Sequence, residues 1–228
     1  MDYGQFCPIA KASELIGEKW TILIIRELLM GGTRFTDLQR GLGTISPTLL
    51  TRRLQELESR GLLIRKRIQG QRGHEYLPTP SCQELLPLLV SLGEWGMRWA
   101  RANLTDKDYD VGLLLLYLQR SIDPAKLPGR ETVIRFHFTD LKDAADWWLL
   151  IEDADVEVCY KDPGRDVDIF FTTSVRVMAD VWMGDVSYRE AIDSGALSII
   201  GPAALIRDVG AWINSSVFAD LPAASRIR

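Results

Sequence analysis

Hydroxyl, amide and guanidinium side chains are concentrated between residues 45 and 57, with a spacing suited to contacts with a polyanion. The apolar positions of this segment recur at helical spacing and predict the buried side of one helix: Ile45, Leu50, Leu54 and Leu57. Ser46 is typical of a helix cap, and Pro47 of a first helical position. The other side then carries Ser46, Pro47, Thr48, Thr51, Arg52 and Gln55, with Arg53 at its edge. Arginine can donate two hydrogen bonds to guanine, hydroxyl groups can bond phosphate or base, and helix N-termini favour phosphate. We therefore expect this helix to contact double-stranded DNA.

The charge around this helix supports the same prediction. Nine basic and three acidic residues lie between Arg34 and Arg72, a local charge of +6. Strand-like runs at Leu62–Ile68 and His74–Leu77 flank a glycine-bounded turn and predict a hairpin, the wing. Its basic residues Arg65, Arg67 and Arg72 should mostly contact the DNA backbone, and Thr36, in the preceding helix, joins the DNA-binding set. The alternative is a solvated basic face.

Length and composition indicate two globular domains. The chain has 228 residues, of which 46% are hydrophobic and 25% are charged, the mixture of an ordered soluble protein. Residues 1–102 carry 14 basic and 10 acidic residues, whereas 103–228 carry 13 and 21. We expect a basic domain over 1–102, a polar linker over 103–110, and an acidic domain over 111–220.

The first domain should be mainly helical, and its last helix should need a partner. Helices are predicted at Ile9–Ile16, Trp20–Met30 and Phe35–Arg40, before the capped helix. After the wing, one apolar stripe is too long and bulky for a small domain to cover: Leu85, Leu86, Leu89, Leu92, Trp95 and Trp99. This stripe predicts a subunit interface, so we expect a homodimer.

The N-terminal residues resemble the HxlR-type regulators. The resemblance covers about Cys7 to Trp99 and is carried by Cys7-Pro8-Ile9, Gly17-Glu18-Lys19-Trp20-Thr21, Arg26-Glu27-Leu28, Arg34-Phe35 with Leu38, Ile45-Ser46-Pro47, Leu54 with Glu56-Leu57, and Gly61-Leu62. It implies dimeric winged helix-turn-helix repressors or activators, paired through terminal helices that correspond here to Pro8–Ile16 and Glu84–Ala100. Two recognition helices related by a dimer axis imply a roughly palindromic operator.

Cys7 is the one cysteine with a suggested role. The three cysteines, Cys7, Cys82 and Cys159, are odd in number and widely spaced, which fits a reduced compartment. Some members of the resembled family sense oxidants or electrophiles through a cysteine matched by Cys7. A helix N-terminus favours a thiolate, and Lys11 is nearby, so the role is chemically reasonable. The alternative is a small residue buried in the dimer interface, and Cys82 and Cys159 are interpreted as packing residues.

The second domain is predicted to be α+β with an antiparallel-rich sheet. A helix at Leu113–Arg120 precedes strand-like runs at Val133–Phe138, Trp147–Ile151, Val156–Tyr160 and Val167–Thr172. The pattern continues with helices at Ser174–Met183 and Tyr188–Ser194, a strand at Leu197–Ile200, and a final helix from Pro202 to about Phe218.

This half resembles sterol-carrier-protein-type domains. The resemblance is carried by Trp147-Trp148-Leu149, Asp168-Ile169 with Thr172, Trp182-Met183-Gly184, and Gly195-Ala196-Leu197-Ser198-Ile199 ending at Gly201. It implies a sheet and helices around an apolar cavity for a hydrophobic small-molecule effector. The predicted lining is Trp147, Trp148, Phe171, Trp182, Met183 and Trp212, for which ordinary core packing is the alternative. A module that only stiffens the dimer, or a lipid-like carrier with a docking N-terminal half, also remains open.

Catalysis has little support in the sequence. His74 and His137 lack a placed nucleophile or metal-ligand spacing, so no catalytic residue, metal or cofactor is expected. The longest strongly apolar run, Leu113–Leu118, is too short to span a bilayer, and the N-terminus lacks a basic-then-apolar leader. We therefore expect a cytoplasmic protein without membrane contact.

Overall fold

The computed structural model describes residues 2–70 and 72–221, which form two compact units. The first unit ends at Trp95 and the second begins at Gly96, so the division falls inside a helix. The segment predicted as a linker, 103–110, belongs to the second unit. Two short 3-10 turns lie there or beside it, at Arg101–Asn103 and Asp106–Asp108.

The first unit is mainly helical and carries one β-hairpin. Its elements are α1 (Pro8–Ile16), α2 (Thr21–Leu29), α3 (Phe35–Gly41), α4 (Pro47–Ser59), β1 (Leu63–Arg67), β2 (His74–Pro78), α5 (Pro80–Gln83) and α6 (Leu86–Trp99). Aliphatic side chains from α2, α3 and α4 form its core, and Ile24, Leu38 and Leu50 are fully buried. Burial of these faces is what orients α3 and α4 against each other.

Helix α4 forms as its sequence predicts. Ser46 is its N-cap, and the Ser46 Oγ accepts the backbone N–H of Leu49 at 3.3 Å, while Pro47 begins the helix. The predicted inward stripe is confirmed, because all four of its members are at most 3% exposed: Ile45, Leu50, Leu54 and Leu57. The chain leaves the helix through Gly61, whose φ of 72° is available to glycine at little cost.

The predicted hairpin is also confirmed. Strands β1 and β2 are antiparallel, with Leu63 opposite Pro78 and Arg67 opposite His74. The backbone N–H of Tyr76 donates to the carbonyl of Thr33 at 2.8 Å, so the hairpin is hydrogen-bonded to the segment that leads into α3. This bond fixes the base of the wing against the helical core.

The second unit has helices on one face of a five-stranded sheet. Its helices are α7 (Val111–Ser121), α8 (Val175–Trp182), α9 (Tyr188–Asp193), α10 (Ala203–Arg207) and α11 (Val209–Trp212). Its strands are β3 (Glu131–Phe138), β4 (Asp146–Glu152), β5 (Asp155–Cys159), β6 (Ile169–Thr173) and β7 (Leu197–Ile200), in the order β5-β4-β3-β6-β7. Both units together give the predicted α+β class.

The sheet is antiparallel-rich with one parallel pair. Strands β3, β4 and β5 form a meander, and β6 pairs antiparallel with β7. Strand β6 lies parallel to β3, with Phe136 opposite Phe171, because the chain crosses from the β5 edge back to the middle of the sheet. A uniformly antiparallel succession of strands is therefore not what forms.

The predicted long helix from Pro202 to Phe218 is wrong. The segment forms the short helices α10 and α11, which meet at Asp208, where φ is −104° and ψ is 23°. After Trp212 the chain is extended, and Ile213 forms a β-bridge with Ile122. Backbone pairing with the segment after α7 thus replaces the helical hydrogen bonds that a continuous helix would make.

Candidate nucleic-acid interface

The solvent-facing side of α4 carries the predicted polar set. The exposed residues there are Ser46, Pro47, Thr48, Thr51, Arg52 and Gln55. Thr51 and Arg52 each lie three or four positions from both Thr48 and Gln55, so these four side chains share one face of the helix, and Ser46 and Pro47 lie at its N-terminus. This face, which we call the reading face, presents hydroxyl, amide and guanidinium groups next to the N-terminus of α4.

Arg52 supplies the guanidinium of the reading face. Its side chain is 61% exposed, and its Nε lies 3.6 Å from Glu56 Oε1, four residues further along the helix. Surface pairs of this kind stabilise a protein by roughly 0–1 kcal/mol, so the Glu56 contact is weak enough to be exchanged for another partner. Arg52 is therefore able to contact a ligand that approaches α4.

Thr51 is chemically more restricted than the sequence suggests. Its hydroxyl donates to the carbonyl of Pro47 at 2.9 Å, one turn earlier in α4. The hydroxyl proton is therefore used inside the helix, whereas the oxygen can still accept a hydrogen bond and the methyl group can make apolar contact. In this rotamer Thr51 can accept from a base or contact a thymine methyl group, but it cannot donate to a phosphate.

Arg53, predicted at the edge of the DNA-contacting side, does not lie on the reading face but is buried against neighbouring residues. Its side chain is 7% exposed; its Nη2 lies 2.5 Å from Glu18 Oε2, and its Nη1 lies 2.6 Å from Glu56 Oε2. Burial alone would lower the pKa of Arg53, but hydrogen bonds to Glu56 and Glu18 outweigh it and raise that pKa. Arg53 in turn holds the pKa of Glu18 below its usual value. The guanidinium therefore ties α4 to the segment before α2.

A second buried polar cluster holds the turn between α3 and α4. Glu27 is fully buried, with Arg26 Nη2 2.8 Å from its Oε1, and the same Arg26 nitrogen donates to the carbonyl of Gly41 at 2.8 Å. A Cβ on Gly41 would fall 1.9 Å from Glu27 Oε2, so any larger residue here would have to displace the buried Glu27 carboxylate. This cluster is not among the residues predicted from the sequence; its signal there is the adjacent pair Arg26 and Glu27 in an otherwise apolar helix.

The wing presents its basic side chains to solvent. Arg65, Arg67 and Arg72 are all exposed, and Arg65 Nη2 lies 3.2 Å from His74 Nδ1 across the hairpin. Thr36 is exposed in the first turn of α3. The first unit thus carries exposed basic or hydroxyl groups on α3, α4 and the wing, the three elements predicted to contribute them.

Cys7 lies at the N-cap position of α1 and is partly exposed. The ammonium group of Lys11, expected to assist this cysteine, is instead 2.9 Å from Glu14 Oε1 and 3.7 Å from Asp2 Oδ1, so its charge is balanced by two carboxylates. Burial raises the pKa of the Cys82 thiol, and burial together with Glu157 raises that of Cys159. These two thiols are therefore held in the less reactive protonated form.

The six residues predicted to line an apolar cavity do not lie on one side of the sheet. Trp147, Phe171, Trp182 and Trp212 belong to the helix-side core, where Phe171 and Trp212 are packed edge to face with ring centroids 6.2 Å apart. Trp148 packs on the opposite face with Val133 and Leu150, so it cannot line the same cavity. The Met183 sulfur lies 3.3 Å from Arg101 Nη1, beyond the end of α8.

Within 2–70 and 72–221, no group of three histidine, cysteine, aspartate or glutamate residues is arranged to hold a metal ion. No helix in those ranges combines the length and the apolar character needed to cross a bilayer.

A capped and exposed helix, a short helix packed before it, and a basic hairpin after it define the winged helix-turn-helix class of DNA-binding transcriptional regulators. The comparison with protein families agrees: the HxlR-like helix-turn-helix model matches residues 15–104. The HTH-type transcriptional regulator YvaP of Bacillus subtilis is 31% identical over 108 residues, which are 46% of this chain and all of that protein. The chain belongs to the HxlR-like helix-turn-helix family.

Other relatives match over the same part of the chain. The HTH-type transcriptional regulator MT3179 of Mycobacterium tuberculosis is 40% identical over 89 residues, and the match covers 39% of this chain and 56% of that protein. The chain therefore spans little more than half of this mycobacterial relative. Among solved structures, the reduced form of the transcriptional regulator YodB from B. subtilis is 26% identical, with 40% of this chain and 92% of that chain covered at a TM-score of 0.36.

Proposed function

We propose that this protein is a homodimeric, sequence-specific transcriptional regulator that binds a roughly palindromic operator and responds to a hydrophobic small molecule. The observation that carries the DNA-binding part is the reading face of α4, exposed and polar beside a basic wing. In this proposal the reading face of α4 enters the major groove, where Arg52 and Gln55 contact base edges. Arg65, Arg67 and Arg72 of the wing contact backbone phosphates and set the register of the domain on the duplex.

Fluorescence anisotropy with the DNA upstream of the protein's own gene tests this assignment. Replacing Arg52 with alanine should weaken binding to that DNA about tenfold or more, because a bidentate contact to a base is worth about 1–3 kcal/mol. The matched control is Arg189→Ala, which removes an exposed arginine of the second unit and should leave binding unchanged. Equal affinity of wild type and Arg52→Ala would exclude Arg52 as a base-contacting residue.

The homodimer is supported by an apolar stripe on α6. Leu88, Leu92, Trp95 and Trp99 are between 48% and 61% exposed and follow each other at intervals of four, three and four residues. Such spacing places them on one side of the helix, and exposed apolar surface of this extent is typical of subunit interfaces. Ile9 of α1 is 76% exposed, so the other helix predicted to pair also offers an apolar side chain. The occupant proposed for this surface is a second copy of the chain.

Native mass spectrometry tests the dimer and its interface. The wild type should be dimeric, and Leu92→Glu should be monomeric, because a charge would have to be buried at the centre of the stripe. The matched control Ile200→Glu alters another exposed aliphatic residue, on β7 and 65% exposed, and should remain dimeric. A wild type that stays monomeric at micromolar concentration would contradict the proposal.

The proposed response to a hydrophobic small molecule depends on the second unit. The motifs that resemble sterol-carrier-protein-type domains lie in β4, β6, β7 and α8, which surround or contribute to the helix-side core. An apolar molecule bound more tightly by one arrangement of the dimer than by another would shift the spacing of the two recognition helices. The test is native mass spectrometry of the full-length protein for co-purified or added apolar ligand, combined with DNA release. Ligand binding without any change in DNA affinity would rule out regulation by this route.

Chemical modification of Cys7 is a second candidate for the signal that regulates DNA binding, and it is favoured by the partly exposed position of Cys7 at the N-cap of α1. In that case oxidation or alkylation of its thiol, and not a bound molecule, changes the affinity for DNA. A Cys7→Ser protein should then bind DNA with wild-type affinity but no longer respond to peroxide or quinone. A retained response would exclude Cys7 as the sensor.

A further inference from the structure

The hydroxyl group of Tyr188 is buried in the helix-side core without a hydrogen-bond partner among the described residues. Tyr188 is the first residue of α9, and its ring packs against that core beside α11, where a Cβ on Gly210 would lie 3.8 Å from Tyr188 Cδ2. Part of the residue is exposed, but its oxygen points inward, and burial raises the pKa of this phenol far above its ordinary value. The group is therefore a neutral hydroxyl at physiological pH, able both to donate and to accept.

An unsatisfied buried hydroxyl is costly and uncommon in a folded protein. Leaving such a group without a partner costs roughly 1–3 kcal/mol, and phenylalanine would fill the same space without that cost. Three tryptophans that pack against the same core have partners for their indole N–H groups: Trp147 Nε1 donates to the carbonyl of Ala144, Trp182 Nε1 to Ser121 Oγ, and Trp212 Nε1 to the carbonyl of Leu205. Tyr188 thus differs from these three tryptophans.

We propose that the Tyr188 hydroxyl is the polar anchor of the effector, and that the effector is a neutral, mainly apolar molecule carrying one oxygen that accepts a hydrogen bond. This inference rests on the proposed effector function of the second unit. The surroundings select the chemical class, because the side chains packed around this core are mainly apolar, and the buried polar residues described in this unit are two threonines, Thr132 and Thr173, with no charged residue among them. A charged ligand would lose its hydration there without a counter-charge, whereas a ketone, ester, ether or quinone oxygen needs only one donor.

If the Tyr188 hydroxyl donates to the effector, the protein should bind one of two molecules of the same shape more tightly than the other. The probes are 2-acetylnaphthalene and 2-isopropenylnaphthalene, which differ in that a carbonyl oxygen replaces a methylene group. Wild-type protein should bind the ketone about tenfold more tightly in isothermal titration calorimetry, since one satisfied hydrogen bond to a buried group contributes about that factor. In Tyr188→Phe the preference should disappear, mainly through weaker binding of the ketone.

Thermal unfolding of the same proteins gives a readout that needs no ligand. Tyr188→Phe should keep or raise the Tm, because it removes an unsatisfied group. The matched control is Tyr109→Phe, in the same unit, whose hydroxyl donates to Asp180 Oδ1 at 3.4 Å; it should lower the Tm and leave the ketone preference intact. A fall in the Tm of Tyr188→Phe would show that the hydroxyl has a partner in the free protein and would overturn the inference.

The outcomes separate this inference from the effector proposal. If the wild type binds neither probe, the proposal of an apolar effector site fails, and the anchor fails with it. If the wild type and Tyr188→Phe prefer the ketone over the alkene by the same factor, an effector site exists but Tyr188 is not its anchor. The assignment is supported only by one result. The wild type and Tyr109→Phe must bind the ketone more tightly than the alkene, and Tyr188→Phe must bind the two equally.

Discussion

The Arg53 guanidinium lies 2.5 Å from the carboxylate of Glu18, and this contact joins α4 to the segment that precedes α2. Arg52, the next residue toward the N-terminus, points to solvent with 61% of its side chain exposed. Two adjacent arginines of one helix therefore have different roles. Arg53 holds the helix in position within the unit, while Arg52 is available to a ligand.

The first prediction separates these two arginines. Arg53→Ala should destabilise the first unit by roughly 1–3 kcal/mol, because Glu18 and Glu56 lose a buried, hydrogen-bonded partner. Arg52→Ala should change the unfolding free energy by less than about 0.5 kcal/mol, as expected for an exposed pair. Urea unfolding followed by circular dichroism measures both. If Arg53→Ala were as stable as the wild type but deficient in DNA binding, the original prediction that Arg53 contacts DNA would be right after all.

The second prediction concerns the close approach of Gly41 to Glu27. Gly41→Ala should destabilise the first unit by about 1–3 kcal/mol, since the new methyl group would overlap the buried Glu27 carboxylate. Gly96→Ala is the matched control, because a Cβ at this position of α6 meets no atom within 4 Å. That change should stabilise the protein by about 0.5–1 kcal/mol, the helical preference of alanine over glycine. Equal effects of the two substitutions in urea unfolding would contradict the packing argument.

The third prediction tests the role of the wing through its salt dependence. If Arg67 contacts a phosphate, Arg67→Ala should weaken binding by a similar factor on operator and on unrelated DNA. It should also reduce the slope of log K against log salt concentration by about 1. Arg52→Ala should instead lower affinity for the operator more than for unrelated DNA. Anisotropy titrations at several salt concentrations measure both quantities, and an unchanged slope for Arg67→Ala would argue against a phosphate contact.

The sequence predicts local structure well and long-range contacts poorly, for physical reasons visible in particular residues. Hydrophobic periodicity and capping residues are enough to predict α4, because Ser46, Pro47 and the four inward aliphatic residues all act within one helix. The burial of Arg53 is not predicted, because Arg53 sits at the boundary between the two faces, one residue before Leu54, where periodicity cannot distinguish burial from exposure. Its partner Glu18 is 35 positions away, and no local pattern encodes that pairing.

The second unit shows the same limit. All five strands were predicted near their observed positions, but the parallel pairing of β3 with β6 depends on a crossover that strand patterns do not specify. The predicted final helix failed because Ile213 pairs with Ile122, a tertiary contact that overrides helical propensity. For the candidate sites, the sequence identified aromatic residues of the core, but it could not tell that Trp148 faces away from Phe171 or that the Tyr188 hydroxyl lacks a partner.

The last prediction is a pH dependence of stability that involves Asp146 on the outer face of the sheet. Asp146 Oδ1 accepts from His137 Nδ1 at 2.9 Å and from Arg135 Nη2 at 3.0 Å. Burial alone would raise the pKa of Asp146, but the hydrogen bonds from His137 and Arg135 outweigh it and hold the pKa below its usual value. A carboxyl group whose pKa is lower in the folded state stabilises the protein above its unfolded pKa of about 3.9, and this contribution is lost as the pH falls through the folded value.

Asp146→Asn should therefore be less stable than the wild type at pH 6–7, by up to about 1 kcal/mol because the cluster is partly exposed. The difference should shrink progressively below about pH 4, where the wild-type carboxyl group also becomes neutral. Urea unfolding of both proteins across this pH range measures it, with Asp143→Asn, an exposed aspartate three residues away, as the matched control. A difference between Asp146→Asn and the wild type that is the same at pH 3 and pH 7 would mean that the side chain acts by packing and not by its charge.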